Sequence, residues 1–210
     1  MDVSGIVLAG GMSRRLGREK AVEPVGGKPL ITRVIDRLAR VGDEVVVVVG
    51  DRRRAAALSL PDWVHIAVDI FPGNGSLGGI FTGLTRARGH WGMVVACDMP
   101  FLNTTLMRHM LSLRSGHDAV VPVVRGRPEP THALYSKACL PYMERRLRGG
   151  DLKISRSFEG LDIRYLLQKE VDLLDPGHQS FFNVNTQEDL DKALALASLP
   201  EGRARRAARR

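Results

Sequence analysis

Cysteine, aromatic residues and long apolar runs are all scarce in this 210-residue chain. The two cysteines, Cys97 and Cys139, exclude a disulfide framework and a four-cysteine zinc site. No apolar run approaches the roughly 20 residues that span a bilayer, and the N-terminus lacks the basic region of a signal peptide. Aromatic residues, at 5%, are too few for the stacking surfaces of single-strand nucleic-acid binders. We therefore expect a cytoplasmic protein that binds neither membranes nor nucleic acid.

The positive charge of the chain is concentrated at its C-terminal end. The formal net charge is +8, and residues 201–210 hold five arginines and one glutamate, which is half of that charge. An Arg/Ala repeat without apolar periodicity predicts a basic disordered tail. The remaining modest positive charge suits a small polyanionic ligand.

Short apolar runs alternate with helical patterns along the first half of the chain. This alternation predicts right-handed βαβ units, and therefore a three-layer, doubly wound, mostly parallel sheet of the Rossmann-like α/β class. The predicted strands of this half are Val3–Ala9, Glu44–Gly50, Val64–Val68, Gly92–Cys97 and Asp118–Val124. The predicted helices are Pro29–Gly42, Leu77–Arg88 and one capped by Asn103.

The pattern after Val124 is less regular. It predicts strands at Thr131–Tyr135 and Ile163–Leu167 and helices at Lys137–Arg148 and Ile154–Phe158. A closing helix is predicted over Thr186–Leu199, with Thr186 as its N-cap.

Three polar features follow predicted strands, and ligands of such sheets bind beyond the carboxyl ends of the strands. They are the Gly10–Lys20 loop, the stretch Asp69–Gly79 and Asp98. The first loop reads LAGGMSRRLGREK, in which two adjacent glycines allow a backbone anion nest. Its cations are suited to phosphate oxygens; they are Arg14, Arg15, Arg18 and Lys20. The alternative is a glycine turn followed by a solvated basic stretch.

Two common nucleotide motifs are absent. Gly27-Lys28 is followed by Pro29, which excludes the GxxxxGK[ST] loop, and Gly10-Gly11 does not form the GxGxxG fingerprint.

Four motifs in order resemble the molybdenum cofactor guanylyltransferases, a family with the nucleotide-diphospho-sugar transferase-like fold. LAGGMSRRLGREK resembles the family's LAGGxxxR[ML]GxxK signature, and PGNGSLGG (Pro72–Gly79) resembles its glycine loop. ACDMPFL (Ala96–Leu102) resembles its CDxP segment, and FFNVNTQEDL (Phe181–Leu190) is nearly its FxNxNTxE[DE]L segment. The resemblance implies transfer of GMP from GTP to the terminal phosphate of Mo-molybdopterin with release of pyrophosphate.

The resemblance also implies roles for individual residues. The backbone of Leu8, Ala9, Gly10 and Gly11 and the side chain of Lys20 would hold the guanine nucleotide, with Arg15 near its phosphates. Asp69 matches an acidic nucleotide contact, and Asp98 matches the magnesium ligand. Asn183 and Asn185 match asparagines on the pterin side. The implied catalytic residues are Arg15, Lys20 and Asp98.

The resemblance further implies an arrangement of the chain and a set of partners. Residues 1–200 would form one nucleotidyltransferase domain, with a nucleotide-binding half (1–124) and a pterin-binding half (125–200). The implied partners are GTP, Mo-molybdopterin and the acceptor molybdoenzymes or their chaperones. His132, in a segment that resembles the family's PTxAL, is either a packing residue or a pterin contact.

The chemistry of the residues points the same way. Mg²⁺ prefers one or two carboxylates together with phosphate oxygens and waters, and Asp98 ends a buried strand. A phosphate monoester is already an anion at neutral pH, so the acceptor requires no general base. The alternative for Asp98 is a cap near the Asn103 helix.

Two other functions stay open at this point. A cytidylyltransferase of the same fold, acting on molybdopterin or on a sugar or polyol phosphate, is the nearer one. A non-catalytic nucleotide or pterin carrier, or a nucleic-acid binder using the arginine tail, is the other. Pyrophosphate release with magnesium, GTP and a molybdopterin acceptor separates an enzyme from a carrier.

Overall fold

The computed structural model describes residues 2–11 and 20–198. Seven strands form its main sheet in the order β10-β7-β9-β6-β1-β4-β5, and β8 pairs with β7. The main-sheet strands are β1 (Val3–Leu8), β4 (Glu44–Val49), β5 (Val64–Val68), β6 (Trp91–Ala96), β7 (Ala119–Val124), β9 (His132–Ser136) and β10 (Ile163–Leu166). The two-residue strands are β2 (Pro24–Val25), β3 (Lys28–Pro29) and β8 (Arg127–Pro128).

Helices cover both faces of this sheet, as the three-layer prediction requires. The described helices are α1 (Leu30–Leu38), α2 (Arg52–Ala57), α3 (Gly75–Arg86), α4 (Thr104–Ser112), α5 (Leu140–Arg148), α6 (Gln168–Leu174) and α7 (Gln187–Ala197). One core joins the sheet to α1, α4 and α6, and the other joins it to α3 and α5. No helix within the described ranges has the length and apolar character needed to cross a bilayer.

The run of valines in β4 shows how the sequence builds this arrangement. All six residues of Glu44–Val49 are buried, with alternate valines facing the two cores. β4 lies between β1 and β5, and it is parallel to both. A strand covered on both faces needs apolar side chains on both, and the sequence supplies five consecutive valines after Glu44.

The helix–sheet contact is unusually close where α3 crosses β1. A Cβ atom on Gly83 would lie 2.3 Å from Ile6 Cγ2, and one on Gly92 of β6 would lie 2.5 Å from Ile6 Cδ1. Ile6 is fully buried. Its side chain therefore occupies space that exists because both neighbouring positions lack a side chain.

Most predicted elements of the first half are confirmed to within two residues, including Asn103 as the N-cap of α4. Pro29 was expected inside α1 and is instead its N-cap residue, paired with Pro24 across the β2–β3 hairpin. The short helices α2 and α6 and the β2–β3 hairpin were not predicted. β9 runs antiparallel to both β6 and β7, whereas the other six strands share one direction.

The second half of the chain closes over the end of the sheet. Thr186 caps α7 through a capping box with Asp189, as predicted for Thr186. The helix packs on the β2–β3 hairpin through a small third core formed by Val25, Leu30, Val184, Leu190 and Ala193. This packing carries the Phe181–Asn185 segment to the carboxyl end of β6. The predicted tail, residues 201–210, lies outside the described residues.

Candidate active site

A cleft of about 340 Å³ opens at the carboxyl ends of β1, β4 and β6, where the sheet predicts a ligand. Small residues and backbone form most of its wall. Its glycines are Gly10, Gly11, Gly50, Gly73, Gly75 and Gly79, and its charged side chains are Lys20, Asp69 and Asp98. A wall of this kind lets a ligand approach the main chain closely.

The glycine pair after β1 lines this cleft. The Gly10 and Gly11 carbonyl oxygens accept hydrogen bonds from Arg54 Nη1, at 2.8 and 3.1 Å. Within the described residues, the two N–H groups donate to no protein acceptor. The carbonyls are therefore held by a cation from α2, and the N–H groups are available to an anion.

Asp69 lies one residue beyond β5, and α3 fixes its carboxylate. Its Oδ1 accepts from the Thr82 hydroxyl at 2.7 Å and from the Phe71 N–H at 3.1 Å. The Thr82 oxygen in turn accepts from the Ile70 N–H at 2.9 Å. Because these two hydrogen bonds hold Oδ1, the orientation of the Asp69 carboxylate at the cleft is fixed.

Lys20, Asp98 and Asn185 meet at the other side of the same cleft. The Lys20 ammonium donates to Asp98 Oδ2 at 2.6 Å and to Asn185 Oδ1 at 2.9 Å. The Lys20 and Asp98 side chains are only 15% and 13% exposed. The second carboxylate oxygen, Asp98 Oδ1, is buried with no hydrogen-bond partner. A buried carboxylate oxygen without a partner is costly for the fold and is a hard-oxygen donor for a cation.

Asp98 does not cap α4, which removes the structural alternative raised for it. The Asn103 side chain performs that capping itself, accepting from the N–H groups of Thr105 and Leu106 at 2.9 and 3.3 Å. The Asp98 carboxylate faces Lys20 instead.

The Asn183–Asn185 segment connects the first cleft with a second. Val184 is fully buried, and its N–H donates to the Asp98 carbonyl at 2.9 Å. Asn185 on one side of it contacts Lys20, whereas Asn183 lines a second cleft of about 810 Å³. The two asparagines thus stand at neighbouring sites, one beside the Lys20–Asp98 pair and one in the larger cleft.

His132 is a packing residue beneath this segment. It is fully buried on β9, its ring lies 4.7 Å from the ring of Phe181, and Nδ1 donates to the Ser180 carbonyl at 3.2 Å. It lines neither of the two clefts. Burial lowers the pKa of His132 from 6.5 to about 4, although the Ser180 hydrogen bond and the charge of Asp175 act in the opposite direction.

This lowered pKa predicts destabilisation by acid. Between pH 6.5 and about 4, the unfolded chain binds a proton at His132 that the folded chain does not. The free energy of unfolding should therefore fall as the pH falls through this range, with a contribution of about 1.4 kcal/mol per pH unit. His132→Gln should lose this contribution, measured by urea unfolding between about pH 7 and about pH 5. The exposed His90→Gln should keep the wild-type slope, and an unchanged slope in His132→Gln would show that the ring is not its source.

The structure brings most of the expected site residues together. Leu8, Gly10, Gly11, Lys20, Asp69 and Asp98 all line the first cleft. Ala9 does not; it is buried, and its N–H donates to the Val48 carbonyl. Arg15 lies outside the described residues.

Sequence reasoning missed two supporting side chains, Arg54 and Thr82. The basic run Arg52–Arg54 directly after β4 was the available signal for Arg54, whereas nothing in the sequence indicated that Thr82 would contact Asp69.

The cleft thus combines a glycine pair on one side with a lysine–carboxylate pair on the other, and both kinds of group can bind phosphate oxygens or the cation that accompanies them. Comparison with known proteins identifies the class. Residues 5–162 match the model of the MobA-like NTP transferase domain, so the chain belongs to this family of nucleotidyltransferases.

The relatives of this chain include two that cover nearly all of it. The chain is 37% identical over 196 residues to a molybdenum cofactor guanylyltransferase of Desulfosudis oleivorans, covering 92% of this chain and 95% of the relative. The crystal structure of molybdopterin-guanine dinucleotide biosynthesis protein A from Archaeoglobus fulgidus superimposes with a TM-score of 0.81 at 31% identity, covering 93% and 98% of the two chains.

The fold extends to more distant enzymes. The 2-C-methyl-D-erythritol 4-phosphate cytidylyltransferase of Thermus thermophilus is 20% identical, with a TM-score of 0.68 over 95% of this chain and all of that one. At this identity the likeness shows the fold alone, which is the nucleotide-diphospho-sugar transferase-like fold expected from the sequence.

Proposed function

We propose that this protein transfers GMP from GTP to the terminal phosphate of Mo-molybdopterin and releases pyrophosphate. The observation that carries the proposal is the Lys20–Asp98–Asn185 cluster, which lies at the glycine-lined cleft and is joined through residues 183–185 to a second, larger cleft. A reaction that joins a nucleotide to an acceptor phosphate needs two adjacent sites with positive charge between them. Of the relatives named above, the protein of Desulfosudis oleivorans is a guanylyltransferase of this cofactor, and the protein of Archaeoglobus fulgidus is named for the biosynthesis of molybdopterin-guanine dinucleotide.

The first cleft would hold the nucleotide. The Gly10 and Gly11 N–H groups and the Lys20 ammonium would face its phosphates, and Arg15 would add a second cation. Leu8 and Asp69 would line the rest of the nucleotide site. In this proposal, residues 1–124 supply the nucleotide-binding half of one domain, and residues 125–200 supply the acceptor half with Asn183 and Asn185.

Asp98 fits a magnesium ion. Its unpartnered Oδ1 is a hard ligand, and the described residues contain no cluster of three or more His, Cys, Asp or Glu side chains suited to a metal. One carboxylate with phosphate oxygens and waters is a sufficient ligand set for Mg²⁺. When bound, the ion would neutralise charge that develops on the phosphates.

The chain's own residues would then position the reactants. Asn185 holds the Lys20 ammonium at 2.9 Å, so that its charge stays beside Asp98. The acceptor phosphate is an anion at neutral pH and attacks without a general base. This agrees with the position of His132, which is buried away from both clefts.

GTP should be the preferred nucleotide. We expect it to raise the melting temperature, with magnesium present, more than CTP, ATP or UTP does, because it alone would fill the base site as well as the phosphate site. A larger shift with CTP would indicate a cytidylyltransferase of the same fold. Pyrophosphate release on addition of molybdopterin and GTP tests the reaction itself, and binding of both without release would indicate a carrier.

A further inference from the structure

The second cleft is a candidate ligand site that is separate from the nucleotide cleft. Its volume of about 810 Å³ is in the range of small-molecule sites, and it shares no lining residue with the nucleotide cleft. One wall comes from the β7–β8 hairpin and the residue that follows it, and the other from the segment 177–183 with Asp189 and Leu196 of α7. The side chains used below are Arg125, Arg127, Glu129, Phe181, Phe182 and Asn183.

Backbone strain is concentrated in the walls of this cleft. Arg125 and His178, at φ of 51° and 50°, are the non-glycine residues with positive φ in the described parts of the chain, and both line it. A left-handed conformation costs an ordinary residue about 1–2 kcal/mol. Arg125 begins a two-residue hairpin turn with Gly126, where asparagine or aspartate is the usual first residue. Arg125 is therefore an unusual residue for this turn, and its side chain lines the cleft.

Glu129 is a carboxylate that lines this cleft together with Arg125, Arg127 and Asp189. Its main chain is fixed, since its N–H donates to the Pro122 carbonyl at 2.8 Å and its carbonyl accepts from the His132 N–H at 3.0 Å. Across the described residues, its carboxylate has no hydrogen-bond or ion-pair partner, even though Arg125 and Arg127 line the same cleft. Partial burial raises the pKa of Glu129 above its ordinary value. A half-buried carboxylate without a partner among the described residues can accept hydrogen bonds from the donor groups of a ligand.

We propose that Glu129 recognises the 2-amino-4-oxopyrimidine edge of the pterin acceptor, a role that rests on the function proposed above. That edge presents a ring N–H and an amino group side by side, and the two oxygens of a carboxylate accept from both. The half-buried rings of Phe181 and Phe182 offer the flat apolar surface that the heterocycle needs. Arg125 and Arg127 match the negative charge of the acceptor.

Guanine carries the same donor edge, so the base of the nucleotide is a second source of this chemistry. The pterin is favoured because Glu129 lies in the cleft lined by Asn183 and is absent from the wall of the glycine-lined cleft.

The test uses two fluorescent heterocycles, 6-carboxypterin and 6-carboxylumazine, which differ in that lumazine has an oxygen in place of the 2-amino group. The wild-type protein should bind 6-carboxypterin about tenfold or more tightly, since lumazine would place an acceptor against the carboxylate. Glu129→Gln should reduce this preference to within about threefold or reverse it, because the amide can donate to the 2-oxo group. Glu144→Gln, at a partly exposed position of α5, should leave both affinities unchanged.

Equal binding of the two compounds by the wild type, or a preference that persists in Glu129→Gln, would overturn the assignment. Steady-state kinetics give the second readout. Glu129→Gln should raise KM for molybdopterin about tenfold, with kcat within about threefold and KM for GTP unchanged. A rise in KM for GTP, or loss of GMP binding, would show that the carboxylate serves guanine and would contradict the proposal. Absence of transfer by the wild type would refute the proposed function, whereas the selectivity for pterin would still stand.

Discussion

Asp98→Asn should reduce GTP-dependent pyrophosphate release by about a hundredfold or more while leaving the protein folded. The substitution keeps the size of the side chain and one acceptor oxygen for Lys20, but it removes the charge from the proposed ligand of magnesium. Loss of that charge at a phosphoryl-transfer centre should cost several kcal/mol in the transition state. The free energy of unfolding should change by about 2 kcal/mol or less, since the Lys20 ammonium keeps Asn185 as a partner. Turnover measured against magnesium concentration, with circular dichroism for the fold, checks both expectations.

The matched control is Asp51→Asn at the end of the neighbouring strand β4. Asp51 is the N-cap of α2, where its side chain accepts from the Arg54 N–H, and asparagine caps a helix nearly as well as aspartate. This variant should keep wild-type turnover. If Asp98→Asn stays within about threefold of the wild type at all magnesium concentrations, Asp98 is neither a catalytic residue nor a metal ligand.

Gly83→Ala should destabilise the protein by about 2 kcal/mol or more, although alanine favours a helix by about 1 kcal/mol over glycine. The new Cβ would lie 2.3 Å from Ile6 Cγ2, and Ile6 cannot move aside because it is fully buried. The melting temperature should fall by roughly 4–8 °C for a domain of this size. Thermal and urea unfolding measure the change.

A double-mutant cycle identifies the cause. Ile6→Ala removes the clashing methyl group and should itself destabilise by about 2–5 kcal/mol through the cavity it leaves. In the Ile6→Ala background, Gly83→Ala should be nearly neutral or stabilising, because its methyl group enters that cavity. Thr85→Ala, on the exposed side of the same helix, should change stability by about 1 kcal/mol or less. Additive losses in the double variant would contradict a clash with Ile6.

Local sequence patterns predicted an element correctly where the core or a helix cap requires particular residue types at fixed positions. The valines of β4 could only be a strand buried on both faces, and the Thr186 capping signal placed the start of α7. The patterns failed for α2, which buries none of its residues, and for α6, which buries only Val171. A helix that buries so little has no apolar periodicity to recognise.

The sequence by itself determined the alternation of strands and helices, the glycine pair after β1 and the isolated acid after β6, since each depends on residues close together in the chain. Only the tertiary structure decided that Lys20, Asp98 and Asn185 meet, although 78 residues separate the first pair and 165 separate Lys20 from Asn185. It also placed Glu129 in the cleft that Asn183 lines. It brought Gly83 and Gly92 against Ile6, whose side chain fits there because neither glycine has a side chain. The physical reason is that two arrangements bring these residues together: α7 packs on the β2–β3 hairpin, and the sheet aligns the carboxyl ends of its strands. Both depend on long-range packing, which no local sequence pattern encodes.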